Sequence, residues 1–303
     1  MIYKPFQDIH CAYQLHYHFC FQTKFRRPIF SAPEHAECLA QTLSSICERN
    51  NYHLLEQRTD QRMFYCLLSL RPEHTISDVA RTSKTNLSRE FNTRFAALAS
   101  SFKQNALWSR GYFVRSVGKA SRKAAEMYIH NQAEHHGTRS EKSIEITRWI
   151  NLQQPNLSVL HATFDLSYHV VLVTAGRRDV FDEDIAPALF KTVAEHAEEG
   201  GFYVERMSLL PDHIHLLIRI TPSHRVKECV IAIMNHSWRF MADRYQGVLK
   251  NTGAYDLWES SCYIGTVGEA TTAQIKNFLA RAPDSPGHPR GSLVNNDMIA
   301  ETG

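Results

Sequence analysis

Two histidines one residue apart, His213 and His215, are the first residues whose type and spacing suggest chemistry. They stand in Pro211-Asp212-His213-Ile214-His215-Leu216-Leu217-Ile218, which reads as an apolar strand entered from a turn. Side chains at i and i+2 of a strand share a face, so the two imidazoles stand side by side, enough for two ligands of a divalent metal. Burying two imidazoles in such a strand is costly unless they have partners. His-x-His alone is a weak signal. With 17 histidines in 303 residues, about one such pair arises by chance. His16-Tyr17-His18 is a second instance and reads as the decoy. A second constellation is Met127-Tyr128-Ile129-His130-Asn131-Gln132, where Tyr128 and Gln132 are four residues apart and share a helical face. A phenol there can attack phosphorus, and the amide oxygen of Gln132 can complete a metal shell. A lone tyrosine near a helix end is more often a packing residue.

These residues belong to a chain that is written twice. Leu15-His16-Tyr17-His18, followed by Thr23, Arg26-Arg27 and Phe30, recurs as Leu166-Ser167-Tyr168-His169, followed by Thr174, Arg177-Arg178 and Phe181. Leu107-Trp108 and Val117-Gly118 recur as Leu257-Trp258 and Val267-Gly268. The offset is 151 residues early and 150 later, so one small insertion or deletion separates the copies. Copy one is expected over 10–136 and copy two over 160–282. A linker over 137–159 is expected to hold a short helix and a turn at Pro155, and the Pro-, Gly-, Asn- and Ser-rich tail over 283–303 to be disordered. Each copy reads strand, helix, strand, strand, helix, strand, helix, with Thr163 to Thr174 as one strand. This alternation predicts an α+β fold with an antiparallel sheet covered by helices on one face, and the ferredoxin-like plan fits best.

The offset exposes a reciprocal loss. The copy-one equivalents of His213 and His215 are Met63 and Tyr65; the copy-two equivalents of Tyr128 and Gln132 are Phe278 and Ala282. Decay of a redundant copy would erase one copy's residues throughout. The reciprocal pattern instead suggests one site shared between copies.

Composition narrows the class. The chain is long enough for two domains of common size, and its 43% hydrophobic content argues for folded protein. No run of eighteen apolar residues predicts a membrane span, the N-terminus lacks the apolar core of a signal peptide, and a cytoplasmic location is expected. Seven scattered cysteines without a CxxC pair read as reduced thiols. A net charge of +3 is mildly basic and decides nothing about nucleic acid. Local clusters say more: Lys24-Phe25-Arg26-Arg27, Arg81 to Arg89, and Lys119 to Lys123 set basic residues beside aromatic and polar groups, as a groove for a phosphate backbone requires. A solvated charged face explains any single cluster as well.

The combination of His-hydrophobic-His on a strand with a helix carrying Tyr and then Gln resembles the single-tyrosine HUH transposases, including those tied to repeated palindromic elements. Further matching text is Tyr17-His18 with Thr23-Lys24-Phe25-Arg26-Arg27, Leu210 to Leu217, and Trp108-Ser109-Arg110-Gly111-Tyr112-Phe113-Val114-Arg115-Ser116-Val117-Gly118 running into Tyr128 to Gln132. The resemblance implies tandem ferredoxin-like HUH domains forming an intramolecular pseudodimer, because family members work as dimers whose tyrosine helix can reach the partner's histidines. It implies a site of His213, His215 and Gln132 around Mg²⁺ or Mn²⁺, with Tyr128 as nucleophile on single-stranded DNA, with a hairpin as the expected recognition element. One tyrosine per chain implies sequential nick-and-join, or pairing of two such chains for a full excision. Lys24, Arg26, Arg27, Arg177 and Arg178 in the turns are the DNA-contact candidates, with Asn86, Arg89, Trp238 and Arg239 on helices. The runner-up is a domesticated protein that holds DNA or RNA hairpins without cutting. A metal-dependent phosphodiesterase of unrelated fold, using His213 and His215 with water, ranks last.

Overall fold

The structure, a computed structural model, describes residues 4–102, 106–119, 121–130, 147–152, 157–251, 253 and 256–280. The first repeat comprises β1 (His10–Gln14), β2 (His16–Gln22), α1 (Pro33–Asn50), β3 (His53–Thr59), β4 (Met63–Ser69), α2 (Ile76–Arg94), α3 (Ala96–Ser100), β5 (Tyr112–Val117) and α4 (Arg122–His130). A connecting strand β6 (Thr147–Ile150) follows. The second repeat comprises β7 (Ala162–Asp165), β8 (Ser167–Thr174), α5 (Ala186–Glu199), β9 (Tyr203–Leu210), β10 (His213–Arg219), α6 (Val226–Arg244), α7 (Gln246–Asn251), β11 (Trp258–Val267) and α8 (Thr272–Ala280).

Local chemistry sets several boundaries. Pro33 opens α1, where a missing N–H is harmless, and Thr75 caps α2 by accepting from the Asp78 amide at 3.2 Å. Six of the seven residues of β10 are buried because both its faces are covered. Ile214, Leu216 and Ile218 join the main core with Leu189, Val193 and Ile233 of α5 and α6. Leu217, on the opposite face with His213 and His215, packs against Ala125 and Ile129 of α4.

The fold is α+β in two tandem halves, each a sheet backed by two helices, with a refinement that the repeat pattern did not contain. The sheets are mixed, in the orders β3-β4-β2-β5-β7 and β1-β11-β8-β10-β9-β6. The repeats have exchanged edge strands. β1 pairs in parallel with β11, Cys11 opposite Cys262, and β7 pairs in parallel with β5, Thr163 opposite Phe113. The single strand expected from Thr163 to Thr174 therefore breaks at buried Leu166, as β1–β2 breaks at buried Leu15. Within the linker, residues 147–150 form a strand paired antiparallel with β9, and residues 137–146 lie outside the described residues. Pro155 and the tail from 283 lie outside the described residues.

A pseudo-twofold axis relates the halves, and hydrogen bonds cross it in reciprocal pairs. Arg122 N donates to Gly268 O at 2.7 Å, and Thr272 N to Gly118 O at 2.8 Å. The Ser116 hydroxyl donates to Val267 O at 2.5 Å, and the Thr266 hydroxyl to Val117 O at 2.6 Å. Tyr17 and Tyr168 meet hydroxyl to hydroxyl at 3.1 Å. Residue i meeting j while j's equivalent meets i's is the signature of an isologous dimer interface, here within one chain. The crossovers run so close that a Cβ on Gly268 would lie 2.1 Å from Ser116 O.

Candidate active site

β10 presents His213 and His215 on the face away from α5 and α6, both under a tenth exposed. Their ring centroids are 5.0 Å apart with planes inclined at 70°, a spacing at which two imidazoles can share one ion. Each ring is oriented through Nδ1. The Asp212 carboxylate engages His213 Nδ1, and His169 Nε2 lies 2.9 Å from His215 Nδ1. Burial holds the His169 pKa down at about 4, so it meets His215 as a neutral ring. The His213 bond and then Arg177, 3.3 Å from Asp212, hold the Asp212 carboxyl below the usual carboxylate range. Carboxylate and imidazole partners of this kind fix tautomer and orientation in metal-binding histidines.

Asp212 and His169 were not among the residues singled out for chemistry. Asp212 read as a turn residue. His169 becomes visible only with sheet register: His215 faces Val171 and His169 faces Leu217, so the two histidines are diagonal neighbours on one face. The signal in the sequence was the repeated Tyr-His of Tyr17-His18 and Tyr168-His169.

Over this face of the second repeat's sheet lies α4 of the first repeat. Ala125 and Ile129 pack on Leu217 and Val267. Arg122 forms a two-pronged bond to Glu205 at 2.6 and 2.5 Å, and Arg206 reaches Glu126 at 3.4 Å. Ile129 then borders a small cleft with Met207 and Trp149 of β6. The helix thus runs from Glu205 along β9 toward the end at which β9 turns into β10 and His213 begins. Position 128 lies on this helix, one residue before Ile129; only its backbone is described, and Gln132 lies outside the described residues.

The mirror region is filled with hydrocarbon and aromatic rings. α8 of the second repeat packs Ile275 and Leu279 on Leu67 and Val117 of the first. Phe278, the counterpart of Tyr128, meets Tyr65, the counterpart of His215, at 5.9 Å between centroids. His18, the counterpart of His169 and part of the decoy pair, is fully buried between them, 6.2 Å from Tyr65 and 6.4 Å from Phe278.

The basic candidates are spread over both halves. Lys24 and Arg26 lie on the turn after β2, and Arg177 and Arg178 on the turn after β8. Arg27 holds the first turn together, donating to Lys24 O and Ala106 O and lying 4.4 Å from the Phe102 ring. Arg89 is exposed beside an open groove of about 440 Å³ between α2 and residues 106–109. The Asn86 amide donates to Thr82 O and its oxygen accepts from Arg89. Arg239 is exposed beside Asp243, whereas Trp238 is a core residue, 2% exposed. Among the described residues, no helix is long and apolar enough to cross a membrane.

A doubled α+β unit that lays a helix of one half across a histidine-bearing sheet of the other defines a class of fused, dimer-like proteins. The model of the IS200-like transposases matches the chain twice, over residues 11–132 and 162–282, and the chain belongs to that family of DNA strand-transferring enzymes. It is similar to the ISDra2 transposase TnpA of Deinococcus radiodurans, 31% identical over 121 residues that make up 40% of this chain and 86% of the relative. The transposase for insertion sequence element IS200 of Salmonella typhimurium is 29% identical over 125 residues, 41% of this chain and 81% of the relative. A crystal structure of a Deinococcus radiodurans transposase aligns with 28% identity and a TM-score of 0.34, covering 40% of this chain and 92% of that one. Each relative corresponds to one repeat.

Proposed function

We propose that this chain cleaves and rejoins single-stranded DNA at one composite site, with His213 and His215 from the second repeat and Tyr128 and Gln132 from the first. The observation that carries the reading is α4 lying on the sheet face that bears His213 and His215. The donor set fits a divalent ion. Two imidazoles are turned by their Nδ1 partners so that Nε2 would ligate, and the Gln132 amide oxygen would be the third donor. Imidazole and amide suit Mn²⁺ somewhat better than Mg²⁺. When bound, the ion supplies Lewis-acid polarisation of the scissile phosphate.

The chain's own residues do the rest. The Tyr128 hydroxyl loses its proton and attacks phosphorus in line. A new P–O(Tyr) bond forms as the bond to the departing 3′ oxygen breaks, and that oxygen takes up a proton. The 5′-phosphotyrosine keeps the energy of the phosphodiester, so another strand's 3′ hydroxyl can reverse the step without an external source. The basic turns hold flanking DNA, a hairpin among its forms.

The test is an SDS-resistant adduct between the protein and labelled single-stranded DNA from the flanks of its gene, with Mn²⁺ or Mg²⁺. An adduct that requires Tyr128, His213 and the metal supports the composite site. Binding without an adduct on any strand assigns the chain to hairpin holding without cleavage.

A further inference from the structure

The turns after β2 and β8 stand in equivalent places but differ in one informative residue. In each, the second and third residues occupy the left-handed region: Gly176 and Arg177 at φ +68° and +50°, Phe25 and Arg26 at +62° and +52°. Glycine adopts this backbone without steric cost, whereas a bulky side chain there is strained. Burial does not offset the strain, because Phe25 is 71% exposed. Strain kept at an exposed residue is a signature of function.

The surroundings indicate what the ring could meet. Lys24 Nζ and the Arg27 guanidinium lie 5.4 and 5.9 Å from the Phe25 centroid. The turn is pinned on two sides, by Thr23 N donating to Arg62 O at 2.9 Å and Lys24 N to Leu107 O at 2.8 Å. Arg62 is exposed, and it occupies the place at which the second repeat has Asp212, so the charge beside this turn is reversed. A rigidly presented ring flanked by cations therefore stands at the rim of the half that lacks the histidine pair.

We propose that Phe25 is a stacking platform for an unpaired nucleobase, with Lys24, Arg26 and Arg62 taking the flanking phosphates. The first repeat then holds the strand while the second supplies the metal-binding histidines. This rests on the single-stranded DNA reading above. Base–aromatic stacking beside a positive track is a sequence-tolerant way to hold a single strand.

The test uses the full chain in EDTA, with fluorescence anisotropy of a labelled oligothymidylate. Phe25→Gly installs the second repeat's residue and relieves the turn, so its melting temperature should equal or exceed the parent's. Its affinity should fall about tenfold, the scale of one lost stacked base, while Phe25→Trp keeps parental affinity. Equal binding by Phe25→Gly and the parent overturns the platform alone, as does equal weakening by Phe25→Trp and Phe25→Gly. A parent that binds no single strand overturns both the platform and the function proposed above.

Discussion

The two helix-on-sheet contacts across the pseudo-twofold axis share a geometry and differ in chemistry. α4 is held on the second repeat by charge, with Arg122 and Glu126 of the helix facing Glu205 and Arg206 of β9, and Asp165 of β7 3.7 Å from Arg122. α8 is held on the first repeat by rings, with Phe278, Tyr65 and His18 in mutual contact and Arg58 bonded to the Phe278 carbonyl at 3.1 Å. The counterparts of Glu205 and Arg206 are Leu55 and Glu56, and that of Glu126 is Lys276, so the charged clamp has no twin. With Met63 and Tyr65 in place of a histidine pair, the first half packs the corresponding face as a core. The other half keeps polar groups, His213, His215 and His169, on the face that α4 crosses, as the function proposed above requires.

Predictions that break or sharpen this contrast run from large effects to small. Tyr128→Phe or His213→Ala should each remove the covalent adduct, by about 10³-fold or more, while Phe278→Tyr alone should add no second adduct per chain. Two adducts on the parent chain, counted by mass spectrometry, would break the one-site picture. Arg122→Ala leaves Glu205, which is mostly buried, without its two-pronged partner. It should cost about 3 kcal/mol in denaturant unfolding and lower the adduct rate by loosening α4. Gly268→Ala drives a methyl into the Ser116 carbonyl and should cost about 2 kcal/mol while prising the halves apart.

A pH series addresses the ring-packed half. Burial lowers the His18 pKa from its ordinary 6.5 to about 3, so the folded state holds a neutral ring while the unfolded chain takes up a proton. His18 therefore leaves stability undiminished above about pH 6.5 and erodes it as pH falls toward 3, by about 2 kcal/mol at pH 5. Chemical denaturation of His18→Gln against the parent should show a shallower decline over that window. The smallest effect is expected at Arg177→Ala. This ion pair with Asp212 is 71% exposed on the arginine side and should change stability by less than about 0.5 kcal/mol.

Much of this was legible in the sequence because it is carried by residue identity and offset. The repeat, the reciprocal exchange of His213 and His215 for Met63 and Tyr65, and the strand–turn–strand around Pro211-Asp212 needed no coordinates. What escaped depends on partners rather than on pattern. A strand's alternation does not say which edge it joins, so the exchange of β1 and β7 was invisible and Leu15 and Leu166 looked like ordinary strand residues. β6 is four residues long and too short for periodicity to separate it from a turn. His169 and Asp212 acquire a role only once register sets them against His215 and His213.

The exchanged strands also bear on how the molecule is made. β1 leaves the ribosome 251 residues ahead of its neighbour β11, measured from Cys11 to the Cys262 opposite it. The first repeat's own sheet is likewise unfinished until β7 arrives beside β5. A nascent first half therefore carries an open sheet edge, the kind of surface that invites mispairing with another chain. Contacts so distant along the chain also slow folding, because closure entropy must be met before they form. Once closed, the two halves meet at a concentration set by the chain itself, so dilution cannot separate them and neither half can trade partners.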